Sequence, residues 1–317
     1  MTRELGATRW LALAPLLLPG SRPAAQDAAR AQAKPERVGR IATPESRDEA
    51  AVPREFSGLA RSSVLGVFWV HNDGGDRARL FAVRETGELA GPAQGLDVSQ
   101  ATNTDWEDLA ASEGLLFVAD VGNNGNDRRD LGLWVIEDPS PEADGLRASR
   151  FLALRYPDQT SFPAEDWRFD CEAVFACDGD LWFLTKHRRA GELLGFTGGT
   201  RLYRLDLAAA LAAPEGEEQV LEARGGREDL SLVTAADLSP SGDRLAVLTY
   251  TALWIFDRPA REVTGSAPSD WLAGDARRVP LSPFETGIAE AIAWRDDASL
   301  LIANEAGELF RLDLPPR

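Results

Sequence analysis

Three glutamates, Glu107, Glu172 and Glu290, each open a short apolar run: EDLA at 107–110, EAVF at 172–175 and EAIA at 290–293. Two further runs, SGLA at 57–60 and ADLS at 236–239, share the pattern with Ser57 and Ala236 in the leading place. A second apolar run follows each of them and ends on a polar residue: WVHN 69–72, FVAD 117–120, FLTK 183–186, VLTY 247–250 and LIAN 301–304. Together the two columns hold Glu107, Glu172, Glu290, Asn72, Asp120 and Asn304, hard oxygen donors of the kind calcium takes, roughly six to eight at about 2.4 Å. Ionised carboxylates gathered at one point repel unless something neutralises them. Lys186 can supply part of that compensation and a bound cation, calcium, the rest.

The same columns hold groups that could act on a substrate. His71, beside Asn72, is the candidate general base on a water. Lys186 and Tyr250 are candidates to stabilise developing negative charge. Each has a plainer reading. A histidine at a rim is often satisfied by a loop carbonyl, and polar residues at strand starts often accept backbone hydrogen bonds in the turn. No G-x-S-x-G elbow, phosphate loop or HExxH helix is present. Zinc is disfavoured, because the only histidines are His71 and His187 and the cysteines do not suit it. Cys171 and Cys177 bracket one strand and would stand roughly 20 Å apart, beyond disulfide or shared-metal reach, so they read as buried thiols. DVGNNGND at 120–127 lacks the terminal glutamate of a calcium loop and reads as a Gly/Asn turn. Trp106 and Trp167, beside Asp105 and Asp166, offer a cup for a sugar or cationic ligand, or simply pin loops onto the sheet.

The elements that must position these residues form a repeat. A third column carries a Leu-aromatic or similar pair: LFAV 80–83, LWVI 133–136, LYRL 202–205, LWIF 253–256 and LFRL 309–312. Fourth strands follow at GLDVSQ 95–100, FLALRY 151–156, QVLEAR 219–224 and RRVPLS 277–282, with turn signals such as GGD 74–76, CDGD 177–180 and SPSGD 239–243 between elements. The fifth copy ends without one, and RVGRIAT at 37–43 supplies it from the other end of the chain. The reading is an all-β fold: a single β-propeller of four-stranded blades, five in number with six as the alternative, closed by an N-terminal strand. LDLAAALAAP at 205–214 is the one helical candidate. In a blade the first strand starts on the rim where the second ends, so the ring would gather the acids at one channel mouth.

The motifs SGLA…WVHNDGGDRARLFAV, DWEDLA…FVADVGNN, CEAVF…FLTKHR…RLYRLDL, AADLSPSGDRLAVLTYTALWIF and EAIAW…ANEAGELFRLDL resemble a group of exported bacterial β-propellers. At the level of fold that group is similar to the NHL-repeat, calcium-dependent lactonase and phytase-like propellers. The resemblance covers residue 53 to the end and implies architecture; it carries over no catalytic residue, since propellers host many chemistries.

Composition narrows the partners. A net charge of −17 over 317 residues argues against nucleic acid, whose phosphates need Lys and Arg, and against an anionic membrane surface. Residues 1–25, with Arg3, Arg9 and the apolar LALAPLLL, read as a secretory signal too short to span a bilayer. Residues 26–52 read as a polar linker holding the closing strand, and 53–317 as the propeller. The expectation is an exported, periplasmic or extracellular protein with no membrane insertion. It would bind a small molecule, glycan or protein at the acidic mouth. The alternative is a calcium-dependent hydrolase of an ester, lactone or phosphoester.

Overall fold

In the computed structural model, which describes residues 33–42, 55–259 and 270–315, the apolar runs are antiparallel strands joined by tight turns. Segments such as VFWVHN and DLWFLTKHR are rich in β-branched and aromatic residues and are buried along their length, as strands covered on both faces must be. Glu113-Gly114 and Asp178-Gly179 both take positive φ at each residue, the paired left-handed geometry that matches strand twist in two-residue hairpins. The proposed signal segment 1–25 lies outside the described residues.

After β1 (Glu36–Arg40), the first blade comprises β2 (Phe56–Arg61), β3 (Val67–Asn72), β4 (Arg79–Arg84) and β5 (Leu96–Ser99). The second comprises β6 (Trp106–Ser112), β7 (Leu115–Asp120), β8 (Gly132–Glu137) and, after the short β9 (Leu146–Arg147), the outer strand β10 (Arg150–Arg155). In the third, β11 (Trp167–Cys177), β12 (Asp180–Arg188) and β13 (Thr200–Asp206) lead to helix α1 (Leu207–Ala212), the short β14 (Gln219–Val220) and the outer β15 (Glu222–Arg227). The fourth holds β16 (Val233–Leu238), β17 (Arg244–Thr249), β18 (Ala252–Asp257) and β19 (Ala276–Pro280). Helix α2 (Pro283–Thr286) precedes the fifth blade, β20 (Ala289–Asp296), β21 (Ser299–Asn304) and β22 (Glu308–Asp313).

The missing fourth strand of the last blade is β1, antiparallel to β22 with Arg37 opposite Phe310 and Arg40 opposite Glu308. The helical candidate in the third blade is α1, capped by the Asp206 side chain on the Ala209 amide. One expected outer strand divides: Gln219–Val220 pairs in parallel with β10 of the preceding blade, and only Glu222–Arg227 completes its own. The short β9 does the same to β5, so two outer edges are covered by the next connection.

The first strands β2, β6, β11, β16 and β20 each touch the next, and β20 touches β2, closing a ring of five. Hydrophobic cores lie between successive blades rather than within one layer, as in Phe117, Val174 and Phe183 between the second and third, and Phe68, Phe81 and Leu301 between the fifth and first. The chain is therefore a five-bladed β-propeller.

Polar side chains stitch the ring where it is tightest. Ser57 Oγ donates to the Glu107 carbonyl at 2.5 Å, and Thr234 Oγ1 to that of Ala289 at 2.9 Å. Asp108, with no exposed surface, accepts the amides of Leu109 (2.8 Å), Val174 (2.9 Å) and Ala236 (3.3 Å), joining three blades. Burial pushes its carboxyl well above the usual carboxylate range, and those amides pull it back. Asp108→Ala strips the amides of their acceptor and should cost about 3 kcal/mol or more in chemical denaturation, since each buried orphan costs roughly 1–3 kcal/mol.

Candidate metal centre

Every first strand carries a bulge near its start, where register with the second strand slips by one residue. The extra residues are Gly58, Glu107, Glu172, Thr234 and Glu290, so three glutamates occupy one repeated irregularity. A bulge leaves its residue outside the ladder and re-aims the side chain. The leading column of the sequence needs two corrections: Gly58 rather than Ser57, and Thr234 rather than Ala236, are the true counterparts of the glutamates. Ser57 instead braces the next blade, and the Ala236 amide bonds Asp108.

The strand-end column also mixes two positions. Asp120 and Asn304 pair opposite the residue before the bulge, as do His71, Thr185 and Thr249. Asn72, Lys186 and Tyr250 lie one residue further, level with Glu305. Neighbours along a strand face opposite ways, and the partners divide accordingly. Asp120 accepts Arg128 Nη2 at 2.9 Å and the Asp105 amide at 3.1 Å. Asn304 donates to the Thr286 carbonyl at 2.8 Å and accepts the Glu308 amide at 2.8 Å. Both brace turns and stand outside the acid groups described next. Asn72 donates to Asp76, while its Oδ1 is buried without a partner.

The mouth gathers more acids than the columns contained. Oxygens of Asp73, Asp105 and Glu107 all lie within 4.8 Å of one another, and so do those of Glu107, Asp170 and Glu172. Glu290 and Glu305 adjoin them, Glu290 close to Glu172 and Glu305 close to Asp73. Burial, then mutual repulsion, sets their protonation. Glu107 is pushed well above the usual range by burial and by Glu172, Asp73, Asp105 and Asp170. Burial raises Glu290 to about 8 and Asp73 and Glu305 to about 7.

Positive charge reaches only part of this group. Lys186 Nζ sits 2.5 Å from Glu172 Oε1 with both side chains buried; burial works against the ammonium, but Glu172 and its acidic neighbours outweigh it and keep it charged. Burial also raises Glu172, and Lys186 pulls it back. Arg188 Nε donates to Asp170 Oδ2 at 2.8 Å, and the Tyr250 hydroxyl lies near Glu290 and pulls its raised carboxyl back down. Glu107 is different: the residue is 7% exposed, and among the described residues no hydrogen bond or ion pair reaches its carboxylate. Removing Lys186 tests the balance. Lys186→Met leaves Glu172 buried with only the longer contact to Arg188 Nη2, at 3.6 Å, and should cost about 3 kcal/mol, most of it recovered in the Lys186→Met/Glu172→Gln double variant.

His71 is not part of the cluster. It has no exposed surface, its Nδ1 donates to the Asn72 carbonyl at 2.9 Å, and its ring meets Trp106 edge-on at 5.5 Å. Burial pushes it down to about 4, so it is neutral. Trp106 is likewise sealed, its Nε1 on the Thr102 carbonyl at 2.9 Å, and cannot form a cup; Trp167 does line a cleft with Arg168, His187 and Arg189. Cys171 and Cys177 are free, buried thiols of β11, and burial raises Cys177 to about 11. In the 120–127 turn, Asn123 and Asn126 bond the backbone of Phe169, a brace between blades.

Asp105 and Asp170 were nonetheless visible: D-W-E at 105–107 and D-C-E at 170–172 place two acids on one side of a strand start. Asp73 and Glu305 carry weaker signals. They follow the strand ends Asn72 and Asn304, and only the pairing register brings them level with the mouth.

Fold and site together define a five-bladed β-propeller with an acid-lined axial mouth. No family model matches the chain, and no curated protein matches its sequence. Solved structures similar to it at low identity include two sugar dehydrogenases and a gluconolactonase. One is the PQQ-bound aldose sugar dehydrogenase of Streptomyces coelicolor, at 12% identity over 90% of this chain and 99% of that one, with a TM-score of 0.45. A gluconolactonase of Xanthomonas campestris is 15% identical over 90% and 99%, with a TM-score of 0.40. A glucose dehydrogenase is 10% identical over 90% and 99%, with a TM-score of 0.47. Among the described residues no helix is long and apolar enough to cross a membrane.

Proposed function

We propose that this chain is an exported propeller that binds a divalent cation, calcium, at its acidic mouth, and through that cation an oxygen-bearing ligand: a small molecule, a glycan or a protein side chain. One observation carries the reading. Glu107 is a buried carboxylate with no hydrogen-bond or ion-pair partner among the described residues, inside two groups of acids whose oxygens lie within 4.8 Å. Such a group is costly unless protonated or bound to a cation. All-oxygen donors suit calcium over softer metals. Titration of chelator-stripped protein with calcium, by calorimetry and by melting with and without EGTA, tests it. Saturable binding with a raised melting temperature is expected; a protein whose melting ignores both additions would remove the reading.

A hydrolytic role has one specific support: Lys186 and the Tyr250 hydroxyl stand beside Glu172 and Glu290, where an oxyanion could be held. In that case the base is a carboxylate of the mouth, because His71 has no exposed surface. Assay of an ester, lactone and phosphoester panel with and without calcium checks it, and cation-dependent turnover of any member would favour it.

A further inference from the structure

We propose that the mouth holds a pair of divalent cations bridged by Glu107, one against Asp73 and Asp105 and the other against Asp170 and Glu172. The inference rests on the cation-binding reading above and specifies how the site is built.

The geometry is that of two sites with one shared wall. Each trio of oxygens lies within 4.8 Å, and Glu107 belongs to both. Two ligands of one calcium ion can be at most twice the metal–oxygen distance apart, which at about 2.4 Å is ~4.8 Å, so each trio can surround a common centre. The first trio is drawn from the turn after β3 and the start of β6. The second takes Glu107 together with the start of β11. The donors therefore come from three successive blades, and the ring is what sets their spacing. A carboxylate has two oxygens and can bridge cations about 3.5–4 Å apart, as two-metal sites do.

Three further observations bear on the pair. Among the described residues the bridging group is the one acid of the two trios that receives no hydrogen bond or ion pair, while Asp73 accepts the Gly74 amide, Asp105 the Asn124 side chain, Asp170 is held by Arg188 and the Asn123 amide, and Glu172 by Lys186 and, at 3.6 Å, Arg188. Charge is the second. The five carboxylates are ion-paired to only two cationic side chains, Lys186 and Arg188, so one divalent ion leaves the trios formally negative and a second offsets the remainder beside Glu290. The third is the backbone around Asp105 and Glu107. A Cβ on Gly122 would run into Glu107 Oε1 and Asp105 Oδ2, and one on Gly74 would come within 2.6 Å of Asp105 Oδ1. Neither glycine takes the left-handed conformation, so space, not backbone freedom, is what these positions require.

The test is stoichiometry on the full chain, stripped with EGTA and dialysed, then titrated with calcium by calorimetry and measured for bound metal. Two ions per chain are expected for the wild type and one for Asp73→Asn, with Asp105→Asn as the second variant if the first folds poorly. Manganese at two equivalents should give the exchange-coupled spin-resonance spectrum of a bridged pair in the wild type and an uncoupled spectrum in Asp73→Asn. One ion per wild-type chain, or two that remain uncoupled, overturns the bridged pair and leaves the cation-binding reading standing. No ion at all overturns both.

Discussion

Glu107→Gln is expected to raise the melting temperature of the cation-free protein by about 5 °C or more while weakening calcium binding by at least about 100-fold. The two effects have one cause. Glu107 is buried, lies among Glu172, Asp73, Asp105 and Asp170, and among the described residues has no partner to repay its desolvation. A neutral isostere keeps the volume and removes the repulsion, which on the scale of a few kcal/mol moves the melting point of a domain this large by several degrees. The same change removes the charge common to both acid trios. A site that stabilises the molecule when altered and abolishes its ligand response is a functional site held at a cost to the fold. Calorimetry and thermal melting of wild type and variant, each with EGTA and with calcium, read both halves. A variant that melts lower without calcium, or binds calcium as the wild type does, would contradict this account.

Stability and calcium affinity should also change with pH in opposite directions. Glu290 is raised to about 8, and Asp73 and Glu305 to about 7, by burial first and by neighbouring acids second. In the unfolded chain such groups titrate near 4. Between about pH 4 and 8 the folded cation-free protein therefore holds more protons than the unfolded one, so its stability falls as pH rises through that window. Cations compete with the same protons, so calcium binding strengthens with pH. From pH 6 to 8 the dissociation constant is expected to fall about 100-fold, roughly tenfold for each ligand carboxylate that must lose its proton. The cation-free melting temperature should drop by several degrees over the same range, and calcium should restore it. Melting curves at pH 5, 6, 7 and 8 with EGTA or calcium measure this, and flat cation-free curves would rule it out.

The blades were legible in the sequence because their signal is local. Strand and turn preferences act within a few residues, and a core that repeats between blades writes the same apolar pattern into each copy, from FVAD to LIAN. Even the closing strand could be read, since a fifth copy without its outer strand leaves an edge to be covered, and β1 covers it. Glu107, Glu172 and Glu290 were found by the same repetition.

What the sequence alone determined is thus the fold, the ring and the three glutamates at its repeated strand starts. Tertiary structure decided which polar neighbours join them. One-residue bulges shift the pairing, so Asp120 and Asn304 turn to their loops while Lys186, Tyr250 and Glu305 reach the mouth, and His71 is shut behind Gly58 and Trp106. A bulge changes which face a side chain takes without changing the apolar pattern that reveals the strand. The grouping of Asp73, Asp105 and Asp170 around Glu107 is likewise a property of three blades meeting at an axis, where residues far apart in the chain come within a metal ion's reach.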